Sequence, residues 1–213
     1  MTAVLFDLDG TLLDTLEDIL DAINHSLRQC GYPKRTLEEA RQFVGNGARR
    51  LMDQAVPEGE DATRALEEFR AYYSVNCQNK TRPYEGIMAA LEEISTNHPV
   101  AIVSNKPDIA VKPLCDHHFP GIYARGENAA CPRKPAPDMI LRTMEDLGVD
   151  RCIYVGDSEV DVLTAKNAGV PCISVLWGFR DREYLEKAGG AHFCGKPQEL
   201  PKMVENLLIF GQV

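Results

Sequence analysis

No apolar run in the sequence approaches the ~20 residues needed to span a bilayer. The N-terminus reads Met-Thr-Ala-Val-Leu-Phe-Asp. It has no basic stretch leading into a long apolar one, so no signal peptide is expected and the cytoplasm is the expected compartment. Positive charge is in deficit: 23 Lys and Arg stand against 32 Asp and Glu, for a net charge of -9. That argues against a general affinity for nucleic acid, whose phosphates attract basic surfaces, and leaves room for a local positive site. C-x-x-C pairs and cysteine-rich clusters are also missing. The seven cysteines are odd in number and scattered, which reads as reduced thiols. Cys152 and Cys172 fall in β-like runs and read as core fillers. There is no internal repeat and no low-complexity segment.

What remains is an ordinary globular balance, 44% hydrophobic and 26% charged over 213 residues. That length holds one large domain, or a core with a smaller second domain. Residues 3–7 form a short, nearly continuous apolar run, the pattern of a strand buried on both faces in a parallel sheet. Similar runs recur at 99–103, 152–155 and 172–176, with a weaker one at 191–194. Helical patterns lie between them. One covers 86–96, another follows Pro137 and stops at Gly148, and a third covers 158–168 with Gly169 beyond. Alternating strands and helices predict a Rossmann-like α/β core with a parallel sheet flanked by helices.

The stretch 14–83 differs, with no convincing strand. Leu16, Ile19, Leu20, Ile23 and Leu27 make one apolar stripe ended by Gly31, and Thr36 with Glu39 fits a capping box. A further helix is expected over 61–77, and the acidic residues of 58–68 read as a solvated helix face. The expected organisation is a core of 1–13 and 84–213 with an all-helical insert at 14–83.

Chemistry gathers at the predicted strand ends, where open α/β sheets place their sites. Asp7-Leu8-Asp9-Gly10-Thr11 follows the first strand. Two close carboxylates repel, and a divalent cation with a taste for oxygen ligands relieves the repulsion. Asp-Gly is also a common turn pair. Gly156-Asp157-Ser158-Glu159-Val160-Asp161 follows the strand at 152–155 and opens a helix, where Asp157 has the alternative duty of a helix cap. Ser104-Asn105 offers a hydroxyl and an amide to an anion, and Lys134, between restricting prolines, offers positive charge. His117-His118 lacks a second ligand pair at metal spacing and reads as a solvated loop.

Asp-x-Asp-Gly-Thr, Ser-Asn, Lys-Pro-x-Pro and Gly-Asp-Ser-x-x-Asp stand in the order of the haloacid dehalogenase-like hydrolase superfamily. The chain resembles its phosphatase branch over essentially its whole length. The helical insert resembles the small cap domain of the first subclass. The resemblance implies that Asp7 is the nucleophile on phosphorus and that Asp9 protonates the leaving alkoxide and then activates water. It implies Mg²⁺ held by Asp7, the backbone carbonyl of Asp9 and Asp157, with Asp161 nearby through water or behind the ligands. Ser104, Asn105 and Lys134 would hold the phosphoryl oxygens. Closure of the cap is expected on hinges near 13–15 and 81–84.

The substrate is expected to be a small phosphorylated metabolite, met by a monomer or small homo-oligomer. Val44-Gly45-Asn46-Gly47-Ala48-Arg49-Arg50-Leu51 is similar to the cap loop of phosphoglycolate phosphatases. Ser104-Asn105-Lys106 and Trp177-Gly178-Phe179-Arg180 are similar to segments of that group, whose usual third residue in the latter is tyrosine. Gly45, Asn46, Gly47 and Arg49 are therefore the expected substrate contacts from the insert, with Asn46 tolerant of unusual backbone angles. Pyrophosphate, nucleotides and sugar phosphates are alternative substrates. A sugar-phosphate mutase on the same scaffold and a non-catalytic binding module are alternative functions.

Overall fold

The computed structural model describes residues 1–129 and 131–210. The chain opens with β1 (Thr2–Phe6), crosses the two-residue β2 (Leu13–Asp14) and enters α1 (Leu16–Gln29), α2 (Leu37–Phe43), α3 (Gly47–Ala55) and α4 (Thr63–Asn76). It returns through β3 (Arg82–Pro83), which pairs with β2. Alternation follows: α5 (Ile87–Ser95), β4 (Val100–Pro107), α6 (Asp108–His118), β5 (Tyr123–Glu127), α7 (Asp138–Leu147), β6 (Arg151–Gly156), α8 (Glu159–Ala168) and β7 (Cys172–Val175). The described chain ends with α9 (Arg182–Lys187), β8 (His192–Cys194) and α10 (Leu200–Phe210). Two compact units result: Met1–Leu13 with Pro83–Val213, and Asp14–Arg82.

The first unit carries a six-stranded sheet in the order β5-β4-β1-β6-β7-β8, parallel throughout. Its middle strands are buried on both faces, which is why they read as unbroken apolar runs. Ala3, Leu5, Ala101, Val103, Cys152 and Tyr154 pack on one face against Met139 and Ile140 of α7 and Ala165 of α8. Truncating a residue such as Leu5 to Ala in a core of this kind costs about 2–5 kcal/mol. Cys152 is a filler here, its thiol pushed up to about 12 by burial. Gly148 and Gly169 take the left-handed C-terminal cap positions of α7 and α8.

In the second unit the stripe of Ile19, Ile23 and Leu27 is buried, as are Leu66, Phe69 and Tyr73 of α4. Contacts between α1 and α4 dominate the unit. The capping box at α2 is complete: Glu39 N donates to Thr36 Oγ1 at 3.2 Å, and Thr36 N donates to Glu39 Oε2 at 2.7 Å. Asp18, in the first turn of α1, is buried with a full set of donors. Thr81 N and Thr81 Oγ1 each donate to its Oδ2 at 2.8 Å, and Lys80 N reaches both of its oxygens.

Several expectations need correction. β4 runs beyond residue 103 to Pro107, with an irregular register between Val103 and Pro107. The edge strand β5 and the helix α6 went unanticipated. β5 is polar and α6 carries an internal Pro113, so neither shows a clean period. His117 and His118, expected in a loop, form the last turn of α6, where burial holds the His118 imidazole below its usual range. α4 begins at Thr63, so the acidic residues at 58–61 precede the helix.

Candidate active site

The strand order sets β1 between β4 and β6. Their carboxyl ends therefore deliver Asp7, Ser104–Lys106 and Asp157 to one edge of the sheet. Asp7 directly follows β1, and its N–H still donates to Val155 O at 2.8 Å, which ties it to the end of β6.

Lys134 is the centre of the charge arrangement. It is 3% exposed, and its Nζ lies 2.8 Å from Asp7 Oδ1, 2.7 Å from Asp161 Oδ1 and 3.0 Å from the Tyr154 hydroxyl. Burial works against the ammonium, but Asp161 and Asp7 outweigh it and hold its pKa well above the ordinary lysine range. Its backbone is fixed by Asn105: Lys134 N donates to Asn105 Oδ1 at 2.7 Å, and Asn105 Nδ2 donates to Lys134 O at 3.1 Å. This positioning duty of Asn105 was not foreseen from sequence.

Asp161 is committed on both oxygens. Oδ1 accepts from Lys134 and Tyr154, and Oδ2 accepts from Ser158 N at 3.0 Å and from Ser158 Oγ. It completes a capping box at the start of α8, so Ser158, and not Asp157, caps the helix. Asp157 is thereby left to the site. Its Oδ1 accepts from Thr11 Oγ1 at 3.3 Å and its Oδ2 from Phe179 N at 2.7 Å. Glycines make the approach possible. A Cβ on Gly178 would strike the Gly10 carbonyl and the Asp157 side chain, and one on Gly156 would strike Asp161.

Asp7, Asp157 and Asp161 form the one group among the described residues whose carboxylates converge as metal ligands do, with one oxygen each inside a 4.8 Å span. Burial first, then Asp161, raises Asp7 well above the usual carboxylate range, against the pull of Lys134. The same two causes push Asp157 up to about 7, against the Phe179 amide, Arg180 and Lys134. Four carboxylates (Asp7, Asp9, Asp157, Asp161) meet two lysines (Lys106, Lys134) in this region. The excess negative charge and the all-oxygen donor set suit a hard divalent cation.

Asp9 stands apart from the carboxylate trio. Its Oδ1 is buried and lies 3.1 Å from Lys106 Nζ, close enough for an ion pair but without hydrogen-bond alignment. Lys106 is itself buried, and its N–H donates to Ser104 Oγ at 3.2 Å. Tyr154 and Lys106 are the site residues that sequence reasoning did not single out. Tyr154 reads as a core aromatic within a strand, and Lys106 appeared only as the third member of a three-residue resemblance.

Gly45, Asn46, Gly47 and Arg49 lie in the second unit. Positive φ falls on the glycines, at 119° for Gly45 and 80° for Gly47, whereas Asn46 has an ordinary φ of −102°. Arg49 is engaged within its own unit, with Nε 2.9 Å from Asp53 and Nη1 3.3 Å from Thr63 Oγ1.

Residues 4–175 match the family model described as haloacid dehalogenase-like hydrolase. The chain belongs to that family. A Mesorhizobium japonicum protein named phosphoglycolate phosphatase is 34% identical over 92% of this chain and 93% of its own length. One of the same name from Agrobacterium fabrum is 36% identical over 85% of this chain and 83% of its own. A crystal structure of a Lactobacillus delbrueckii subsp. bulgaricus protein superposes with a TM-score of 0.90 at 35% identity, covering 95% of this chain and 98% of that one. Within its family, the chain is a phosphoric monoester hydrolase similar to the phosphoglycolate phosphatases.

Proposed function

We propose that this chain hydrolyses 2-phosphoglycolate through an aspartyl-phosphate on Asp7. The observation that carries the reading is the buried Asp7–Lys134 pair at 2.8 Å, with a second acid, Asp9, two positions along the same strand end. Lys134 opposes the upward push of burial and Asp161 on the Asp7 carboxyl, and offsets the repulsion between a carboxylate nucleophile and an anionic phosphate. Asp161 and Tyr154 hold Lys134 in place, and Asn105 holds its backbone. Asp7 forms the bond to phosphorus as the ester bond breaks, and Asp9 gives its proton to the departing alkoxide. Asp9 then takes a proton from the water that attacks the aspartyl-phosphate, which returns Asp7 and releases inorganic phosphate. The Ser104 hydroxyl would donate to a phosphoryl oxygen.

Asp7, Asp157 and the Asp9 backbone carbonyl would hold Mg²⁺, with Asp161 behind them. When bound, the ion supplies positive charge to phosphoryl oxygens. The unit 14–82 is proposed as a cap that excludes water from the reacting centre, pivoting where the chain crosses between units.

The substrate is favoured by the names of the relatives and by the two segments, 44–51 and 104–106, that resemble phosphoglycolate phosphatases. The test is phosphate release with and without Mg²⁺, across phosphoglycolate, pyrophosphate, nucleotides and sugar phosphates. Mg²⁺-dependent release with a clear preference for phosphoglycolate is expected. Preference for another ester would overturn the substrate, and release unaffected by chelator would overturn the metal.

A further inference from the structure

The carboxylates of the site are held in two different ways. Asp161 takes aligned donors on both oxygens from Lys134, Tyr154 and Ser158, and no part of its side chain is exposed. A carboxylate bound like that is a fixture. Asp9 is partly exposed, and its one buried oxygen is held by charge alone: Lys106 Nζ lies 3.1 Å from Oδ1, off the hydrogen-bond axis, and that oxygen has no aligned donor. A buried carboxylate oxygen without an aligned donor is costly, and it exchanges partners more readily than a well-bonded one. Lys106 lies in the stretch of β4 where the register against β5 shifts, between Val103 and Pro107, and its Nζ reaches the Asp9 carboxylate.

We infer that Lys106 recognises a carboxylate on the leaving group, and that this contact releases Asp9 to face the ester oxygen. The inference rests on the phosphoglycolate reading. In that substrate a single methylene separates the ester oxygen from the carboxylate. A molecule that sets its ester oxygen against Asp9 therefore brings its carboxylate within reach of the ammonium beside Asp9. The incoming carboxylate replaces Asp9 as the partner of Lys106, so the buried positive charge is never left alone. The same step frees the Asp9 carboxyl only when an anionic leaving group is present. Lys106 thus acts as a selector of leaving group, in addition to anything the second unit contributes.

The test compares 2-phosphoglycolate with ethyl phosphate, which has the same leaving skeleton without the carboxylate. In K106M, kcat/KM on phosphoglycolate is expected to fall about a hundredfold, the scale of a lost charge-assisted hydrogen bond, and to rise on ethyl phosphate, because Asp9 is then no longer held by the ammonium. The loss on phosphoglycolate should appear mostly in KM. K106R, which keeps the charge, should recover part of the preference. Equal losses on both substrates, or an unchanged ratio, would overturn the inference while leaving the substrate reading in place. A wild-type enzyme that does not prefer phosphoglycolate over ethyl phosphate would overturn the substrate reading and this inference with it. Turnover of ethyl phosphate by K106M also reports that the variant folds.

Discussion

Replacing Lys134 with methionine removes the charge and keeps most of the stem. It deprives three buried groups of a donor at 2.8, 2.7 and 3.0 Å: Asp7, Asp161 and the Tyr154 hydroxyl. Breaking a buried ion pair from one side typically costs about 3–5 kcal/mol, because the surviving charges stay desolvated and unpaired. At a urea m-value of about 2 kcal/mol/M, that is a drop of about 2 M in the unfolding midpoint. Trp177, the only tryptophan, lies in the first unit with its Nε1 donating to Thr11 O at 3.0 Å, so its fluorescence follows that unit. The loss should depend on pH. Asp7 already sits above the usual carboxylate range, and Lys134 is the main influence holding it down. Without the lysine, the folded state pays most where Asp7 must be ionised. As pH falls through the folded-state pKa, the folded protein takes up a proton that the unfolded chain does not bind, and the penalty shrinks. K134M should therefore lie closer to wild type at low pH than at high pH. Adding D161N should restore part of the loss, since the carboxylate left unpaired is then neutral. A loss under about 1 kcal/mol at pH 8, or equal losses at low and high pH, would refute the reasoning.

D7N should abolish phosphate release while circular dichroism and melting show an intact fold, and D9N should cripple release through lost proton transfer; wild-type rates in either would reverse the roles assigned. For the metal-free protein, Asp157 sits at about 7 against an ordinary 3.8, so the folded state binds more protons between those values, and stability from this group falls as pH rises through 7. Melting temperature should accordingly be higher at pH 6 than at pH 8, the stabilisation by Mg²⁺ should be larger at pH 8, and D157N should flatten both trends. Gly178→Ala should lower melting temperature and Mg²⁺ affinity together, because the new methyl has only the Gly10 carbonyl and Asp157 to displace; wild-type affinity measured by calorimetry would show that the loop yields.

Much of this architecture is readable in one dimension for a physical reason. β1 and β6 are covered on both faces, so their apolar runs stop abruptly at Asp7 and at Gly156-Asp157, and a carboxylate at such a stop is conspicuous. Gly148, Gly169, Thr36 and Glu39 mark helix ends through local chemistry that needs no tertiary partner. Tyr154 shows the opposite case. Nothing distinguishes it from a packing aromatic until the fold brings Lys134 to its hydroxyl. β5 is a polar edge strand, and α6 hides its period behind Pro113 and two histidines, so both depend on neighbours that local pattern does not reveal. Asn105 offered an amide at a strand end, but only the folded loop shows that amide gripping the Lys134 backbone.

Asp18 gives the second unit a property beyond stability. Its carboxylate gathers the backbone of Lys80 and Thr81 onto the first turn of α1, and Arg82 reaches Asp14 at 3.3 Å, so the entry and exit of the unit are fastened to each other. A segment whose ends are already joined from within attaches to its host through two neighbouring points. Another helical insert with its own end-to-end clasp, spliced between Leu13 and Pro83, would join the six-stranded sheet through the same two neighbouring points of attachment.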